Sequence, residues 1–110
     1  MSDDATDAID AAQDALNDVR DELLRYPAEG VVANHAIGLY ELAAIHLSAQ
    51  PPNLFEAALA IDALACLVEG LGPRLGEQAP VLVDALSNIR IAFVQIKGRV
   101  TPSPAPPPTA

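Results

Sequence analysis

Proline and glycine divide this chain into four stretches, each long enough for a helix. The breaks fall at Pro27, at Gln50-Pro51-Pro52-Asn53, between Gly70 and Pro73, and at Gly98. Proline cannot donate a backbone hydrogen bond, and glycine is the usual residue just past a helix end, so these positions act as stops. Between them aromatic residues amount to only 4% of the composition, while alanine and leucine abound. That favours helix over strand. The expected fold is therefore all-α: a small helical bundle of four helices, at about residues 4–25, 28–48, 54–69 and 80–97. It divides into an acidic amphipathic N-terminal helix (1–26), a helical core domain (27–98) and a disordered Pro-rich tail (99–110). A chain of 110 residues forms one domain with a modest core and no room for a large cleft.

The first stretch has the most regular pattern. Ile9, Ala12, Leu16, Val19, Leu23 and Tyr26 recur at alternating steps of three and four, which is a heptad seam: one narrow apolar stripe on a helix. Asp3, Asp7, Asp10, Asp14, Asp18 and Asp21 keep a similar rhythm on the opposite side. Aspartates suit the first turns of a helix, where the dipole is positive, and are merely tolerated further on. Residues 1–26 hold eight acids and two bases, a local charge of −6. Such a helix is expected to be the least stable of the four and to order on docking.

Pro27 ends that helix or opens the next at its first position. In the second stretch Asn34, Glu41 and Ser48 form one thin polar line and almost everything else is apolar. A helix apolar around most of its circumference belongs at the centre of a fold or against a second subunit. The third opens with the capping-box spacing Asn53…Glu56 and is also mostly apolar, with Asp62 and Glu69 as its wet edge. Gly70 and Gly72 are candidates for its C-terminal end. Residues 74–79 read as a short connection. In the fourth, Pro80 fits the first turn, Leu82, Leu86, Ile89, Phe93 and Ile96 form the buried stripe, and Gly98 is the expected stop. From Thr101 onward only Pro, Ser, Ala and Thr occur, a composition that cannot build a core. Pro104-Ala-Pro-Pro107 has the PxxP spacing of groove-binding ligands, which is uninformative in a chain with ten prolines.

The net charge is −9, with fifteen acids against six bases. Such a surface repels phosphate backbones and anionic lipid, which argues against nucleic-acid and membrane partners and leaves a basic protein partner possible on charge. The first residues are acidic and lack the apolar run of a signal peptide. Residues 31–47 are interrupted by Asn34, His35, Glu41 and His46 and are short for a membrane span. The expectation is a cytoplasmic protein.

Catalytic constellations are lacking. Cys66 is the only cysteine, so neither an intramolecular disulfide nor a Cys-based zinc site can form. Its neighbours Leu64, Ala65 and Leu67 make it a small core residue in expectation, rather than an activated thiolate. His35 and His46 stand eleven residues apart, about 16 Å along a helix axis, too far to share a metal. No phosphate-binding glycine loop, nucleophile elbow or calcium loop is present. No cofactor is expected. Asp62 and Arg90 each interrupt an apolar surround, and antiparallel packing of helices three and four would join them in a structural ion pair that fixes register.

From Asn34 to about Gln95 the chain resembles the small bacterial proteins grouped as domain of unknown function 1844. The likeness rests on the apolar helix from Gly38 to Leu47, on Asn53-Leu54 with Ala57 or Ala58, on Ile61-Asp62-Ala63-Leu64, on Leu67-Val68-Glu69, and on Ile89-Arg90-Ile91-Ala92-Phe93-Val94. The chain departs where the family has a Lys-Thr-Lys-Gly-Asn turn and here Gly70-Leu-Gly-Pro-Arg-Leu-Gly76 stands instead. The resemblance implies an all-helical domain and supplies no activity. The occurrence of some members near the gene for translation initiation factor three implies a translation-linked setting.

Taken together, these features predict a non-enzymatic helical interaction module, a homodimer through helices two and three. The rival reading is an adaptor whose partner-facing acidic face, Asp7, Asp10, Asp14 and Asp18, docks a basic protein. An enzyme or small-ligand protein built on His35, His46 or Cys66 is the third and weakest.

Overall fold

A computed structural model describes residues 3–100 of the chain. The Pro-rich tail and its PxxP spacing lie outside the described residues, apart from Arg99 and Val100. Four α-helices follow one another: α1 (Asp3–Arg25), α2 (Ala28–Ser48), α3 (Leu54–Leu71) and α4 (Ala79–Val100), with a 3-10 segment, Gly72–Gln78, between α3 and α4. The fold is all-α, as the composition predicts.

The bundle, however, contains three helices and not four. α2, α3 and α4 pack on one another and on the 3-10 segment, whereas α1 contacts none of them and has no buried residue. Two physical causes stand out. The link between α1 and α2 is only Tyr26-Pro27, and Pro27 is extended (φ −59°, ψ 139°), so the chain does not double back. Both parts are also negative: residues 1–26 carry −6 of the total −9, leaving −3 on the rest. The radius of gyration, 21.8 Å, far exceeds the roughly 13 Å of a compact chain near this length, because α1 projects from the bundle.

The helix ends follow local chemistry. The Asn53 side chain accepts a hydrogen bond from the Glu56 backbone N–H (3.1 Å), so half of the expected capping box forms. The other half is replaced, because the Asn53 N–H donates to the carbonyl of His46 (3.0 Å) and ties the α2–α3 loop shut. Gly72 closes α3 at φ +52°, a conformation open to glycine. α4 runs through Gly98 to Val100. One interior glycine costs about 1 kcal/mol relative to alanine, and Lys97 and Arg99 in the last turn favour the negative end of the dipole.

Groove linings give the helix directions. Ala28 and Val32 lie beside Leu71, so α2 and α3 are antiparallel. Ile37 and Tyr40 lie beside Leu82 and Asn88, and Gly30 beside Gln78, so α4 runs parallel to α2. The core is an up–down–up bundle closed at the starting end of α2 by the 3-10 segment, whose Leu75 is buried.

Fourteen hydrophobic residues form the core, and six of them are alanines. α2 contributes Ala33, Ala36, Ala43 and Leu47; α3 contributes Ala57, Ala60, Ile61, Leu64, Ala65 and Val68; α4 contributes Leu82, Leu86 and Ile89. Small side chains along α2 and α3 let the two backbones approach closely. Leu64, Leu75 and Leu82 are the largest fully buried side chains.

Candidate interaction surfaces

The alanine seam leaves larger apolar side chains outside. Leu42 and Ile45 on α2 are exposed, and so are Phe55 (82%) and Leu59 on α3, all near the end of the hairpin closed by the Asn53–His46 bond. On α4 Val81, Val83, Ile91 and Val94 are exposed. On α1 Ile9, Leu16, Val19 and Leu23, and Tyr26 just past its end, each show more than half of their surface. Scattered exposed leucines are ordinary, but a full seam of them on an unpacked helix is the form that protein interfaces take.

The acidic residues expected to face a partner, Asp7, Asp10, Asp14 and Asp18, are all exposed on α1. The only ion pair on that helix among the described residues is Glu22–Arg25, one turn apart at 3.3 Å. Tyr26 also donates its hydroxyl to Glu22 (3.1 Å).

Arg90 and Asp62 line one open groove between α3 and α4, of about 320 Å³, together with Ala58, Ile61, Phe93 and Val94. They do not pair with each other. The Arg90 guanidinium donates to the Glu69 carboxylate at 2.7 Å, with both side chains more than half exposed. Glu69 lies two turns beyond Asp62 on the same edge of α3, and the long arginine side chain reaches it along the antiparallel seam. The expected structural pair Asp62–Arg90 is thus replaced by Glu69–Arg90. Spacing alone could have raised Glu69, since residues 62 and 69 share a face. Exposed pairs of this kind stabilise by about 0–1 kcal/mol.

Cys66 is exposed and not a core residue. It falls between Asp62 and Glu69 at steps of four and three, so it shares the wet edge that the two acids mark. His35 is exposed and its Nδ1 lies 2.8 Å from the carbonyl oxygen of Val31, one turn back, to which the Nδ1–H tautomer donates. His46 is half-buried. Among the described residues no polar or charged residue is buried, and no three His, Cys, Asp or Glu side chains gather closely enough to hold a metal ion. None of the described helices is long and apolar enough to cross a membrane. The grooves are shallow and, apart from the one beside Glu29, Glu77 and Gln78, lined mainly by apolar groups. What the surface offers is apolar contact and negative charge.

No family model matches the chain, and no curated protein and no solved structure matches it either.

Proposed function

We propose that this chain is a non-enzymatic protein-interaction module that self-associates through apolar helix surfaces. One observation carries the reading: fifteen large hydrophobic side chains are exposed among the described residues, against a core of fourteen in which six are alanines. A chain that leaves as many large apolar groups outside as it has core positions gains from covering them with another surface. Membership of the domain of unknown function 1844 family is part of the same proposal. It rests on Asn53-Leu54, Ile61-Asp62-Ala63-Leu64 and Ile89-Arg90-Ile91, and a bacterial cytoplasmic setting goes with it. Sedimentation velocity of the full chain from about 1 to 100 µM tests the reading. The expected result is a mass that rises from monomer toward dimer with concentration. A monomer throughout that range, binding no apolar dye, overturns it.

A second reading has its own observation. Asp7, Asp10, Asp14 and Asp18 are exposed on a helix that packs against no other described element, a surface suited to a basic protein, in keeping with a translation-linked adaptor. Binding of such a partner would weaken with salt and with the four aspartates changed to asparagine. Binding indifferent to both would remove this reading.

A further inference from the structure

α1 has an apolar seam, lacks a partner among the described residues, and distributes its charge in a way that selects what covers it. We propose that α1 pairs antiparallel with α1 of a second copy of this chain, forming a short two-stranded coiled coil. The inference rests on the self-association reading above and names its surface.

With Ile9, Leu16 and Leu23 at position a of the heptad, Ala12, Val19 and Tyr26 take position d. All seven aspartates of α1 then fall at b, c or f, the positions farthest from a facing helix. The flanking positions e and g hold Thr6, Gln13 and Arg20, and Ala8, Ala15 and Glu22. A segment with a charge of −6 can therefore meet its own copy along the seam without bringing two acids face to face. The stripe is also the narrow a/d kind that suits one facing helix, not the broader face that a globular core requires. A basic protein bound to the aspartates would sit on the opposite side and leave the seam in water.

Orientation follows from size and charge. In the antiparallel arrangement Leu16 faces Val19 of the second copy, Ala12 faces Leu23, and Ile9 faces Tyr26. Each layer joins residues from the two halves of the seam, so the small Ala12 meets a large partner. Gln13 then flanks Arg20 of the second copy, and Ala15 flanks Glu22. In a parallel pair Ala12 would meet Ala12 and leave a void, while Tyr26 would crowd Tyr26. Charge points the same way. Residues 3–14 carry five acids and no base, whereas residues 15–25 carry three acids and two bases. Antiparallel pairing sets the more acidic half beside the less acidic one and opposes the two helix dipoles. It also places the two bundles at opposite ends of the helix pair, where they do not collide.

The experiment uses the full chain in a Cys66→Ala background, since the exposed native thiol would otherwise react. Ile9→Cys protein is mixed with Tyr26→Cys protein under mild oxidation, and sedimentation is measured in parallel for Leu16→Asp and Asp14→Asn. The expected result is a disulfide joining Ile9→Cys chains to Tyr26→Cys chains, with self-association weakened by more than roughly tenfold in Leu16→Asp and kept in Asp14→Asn. The crosslink does not depend on a variant that unsettles the helix. A dimer that persists in Leu16→Asp, or crosslinks only between like chains, overturns the antiparallel α1 pair and leaves self-association standing. A parent chain that stays monomeric overturns both.

Discussion

α1 and the α2–α3 hairpin make opposite use of apolar residues. α1 sorts its large ones, Leu24 apart, onto one narrow stripe with acids behind it, and none of them is buried among the described residues. α2 and α3 are apolar nearly all round, and between them they supply ten of the fourteen core residues. Amphipathic contrast is thus a poor guide to burial in this protein. What decides burial is whether a face can approach another closely. Ala33, Ala36 and Ala43 of α2 and Ala57, Ala60 and Ala65 of α3 are buried, while the bulkier Leu42, Ile45, Phe55 and Leu59 stay outside. The same sorting that would make α1 a good partner for another helix gives it no role in the bundle.

The largest effect should come from the hairpin. Leu64 is fully buried and one of the largest side chains to be so, so Leu64→Ala removes one of the few large groups filling the core. Losses of about 2–5 kcal/mol accompany such truncations, and a bundle of this size has little more than that in total. The urea midpoint of the bundle should collapse. A loss below about 1 kcal/mol would mean that the alanine seam, and not Leu64, holds the helices together.

A smaller effect is expected where the 3-10 segment turns back toward α2. Gly76 has φ +74°, and a Cβ built there would lie 2.9 Å from the Glu29 carboxyl carbon at the start of α2. Gly76→Ala should cost about 1–3 kcal/mol, measured by thermal or urea unfolding. The Glu29 side chain can swing away, so the double variant Gly76→Ala/Glu29→Ala separates the two causes. Backbone strain predicts that most of the loss remains. Full recovery in the double variant would assign it to the contact and make the end of the bundle closed by the 3-10 segment more tolerant than the φ value implies.

Much of the architecture is legible in the sequence because it is local. Asn53, Gly72, Pro27 and the Pro51-Pro52 pair mark helix ends through backbone chemistry that needs no tertiary context. The stripe Leu82, Leu86 and Ile89 is visible on α4 because it keeps helical spacing while Asp84, Asn88 and Gln95 interrupt the exposed side. The faces of α2 and α3 are not, because alanine against leucine gives little contrast and the packing uses the smaller residue. Cys66 shows the same limit: Leu64, Ala65 and Leu67 surround it in sequence, yet its phase with Asp62 and Glu69 puts it outside. The Arg90 partner depends on how two helices slide past each other, and side-chain reach, not sequence spacing, selects Glu69 over Asp62. That α1 stands apart depends on a short extended link at Pro27 and on charge summed over both regions, neither of which a helix pattern records.

The smallest stability effect tests the comparison most directly. Removing residues 1–25 takes away a helix that buries nothing. Only the junction is touched, where Leu23 and Tyr26 line a shallow groove with Val31 and Asn34. At concentrations too low for self-association, the bundle's urea midpoint should shift by less than about 0.5 kcal/mol. The sign can be given as well. The deleted residues carry −6 next to a bundle that carries −3, so deletion relieves repulsion. Any shift should be a slight stabilisation at low salt that fades near 0.5 M salt, where the Debye length is only about 4 Å. A loss of more than about 1 kcal/mol would make α1 a structural part of the bundle and end the contrast between the two regions. Unchanged stability together with loss of self-association would separate the two roles: the hairpin and α4 hold the fold, and α1 is kept for what lies outside it.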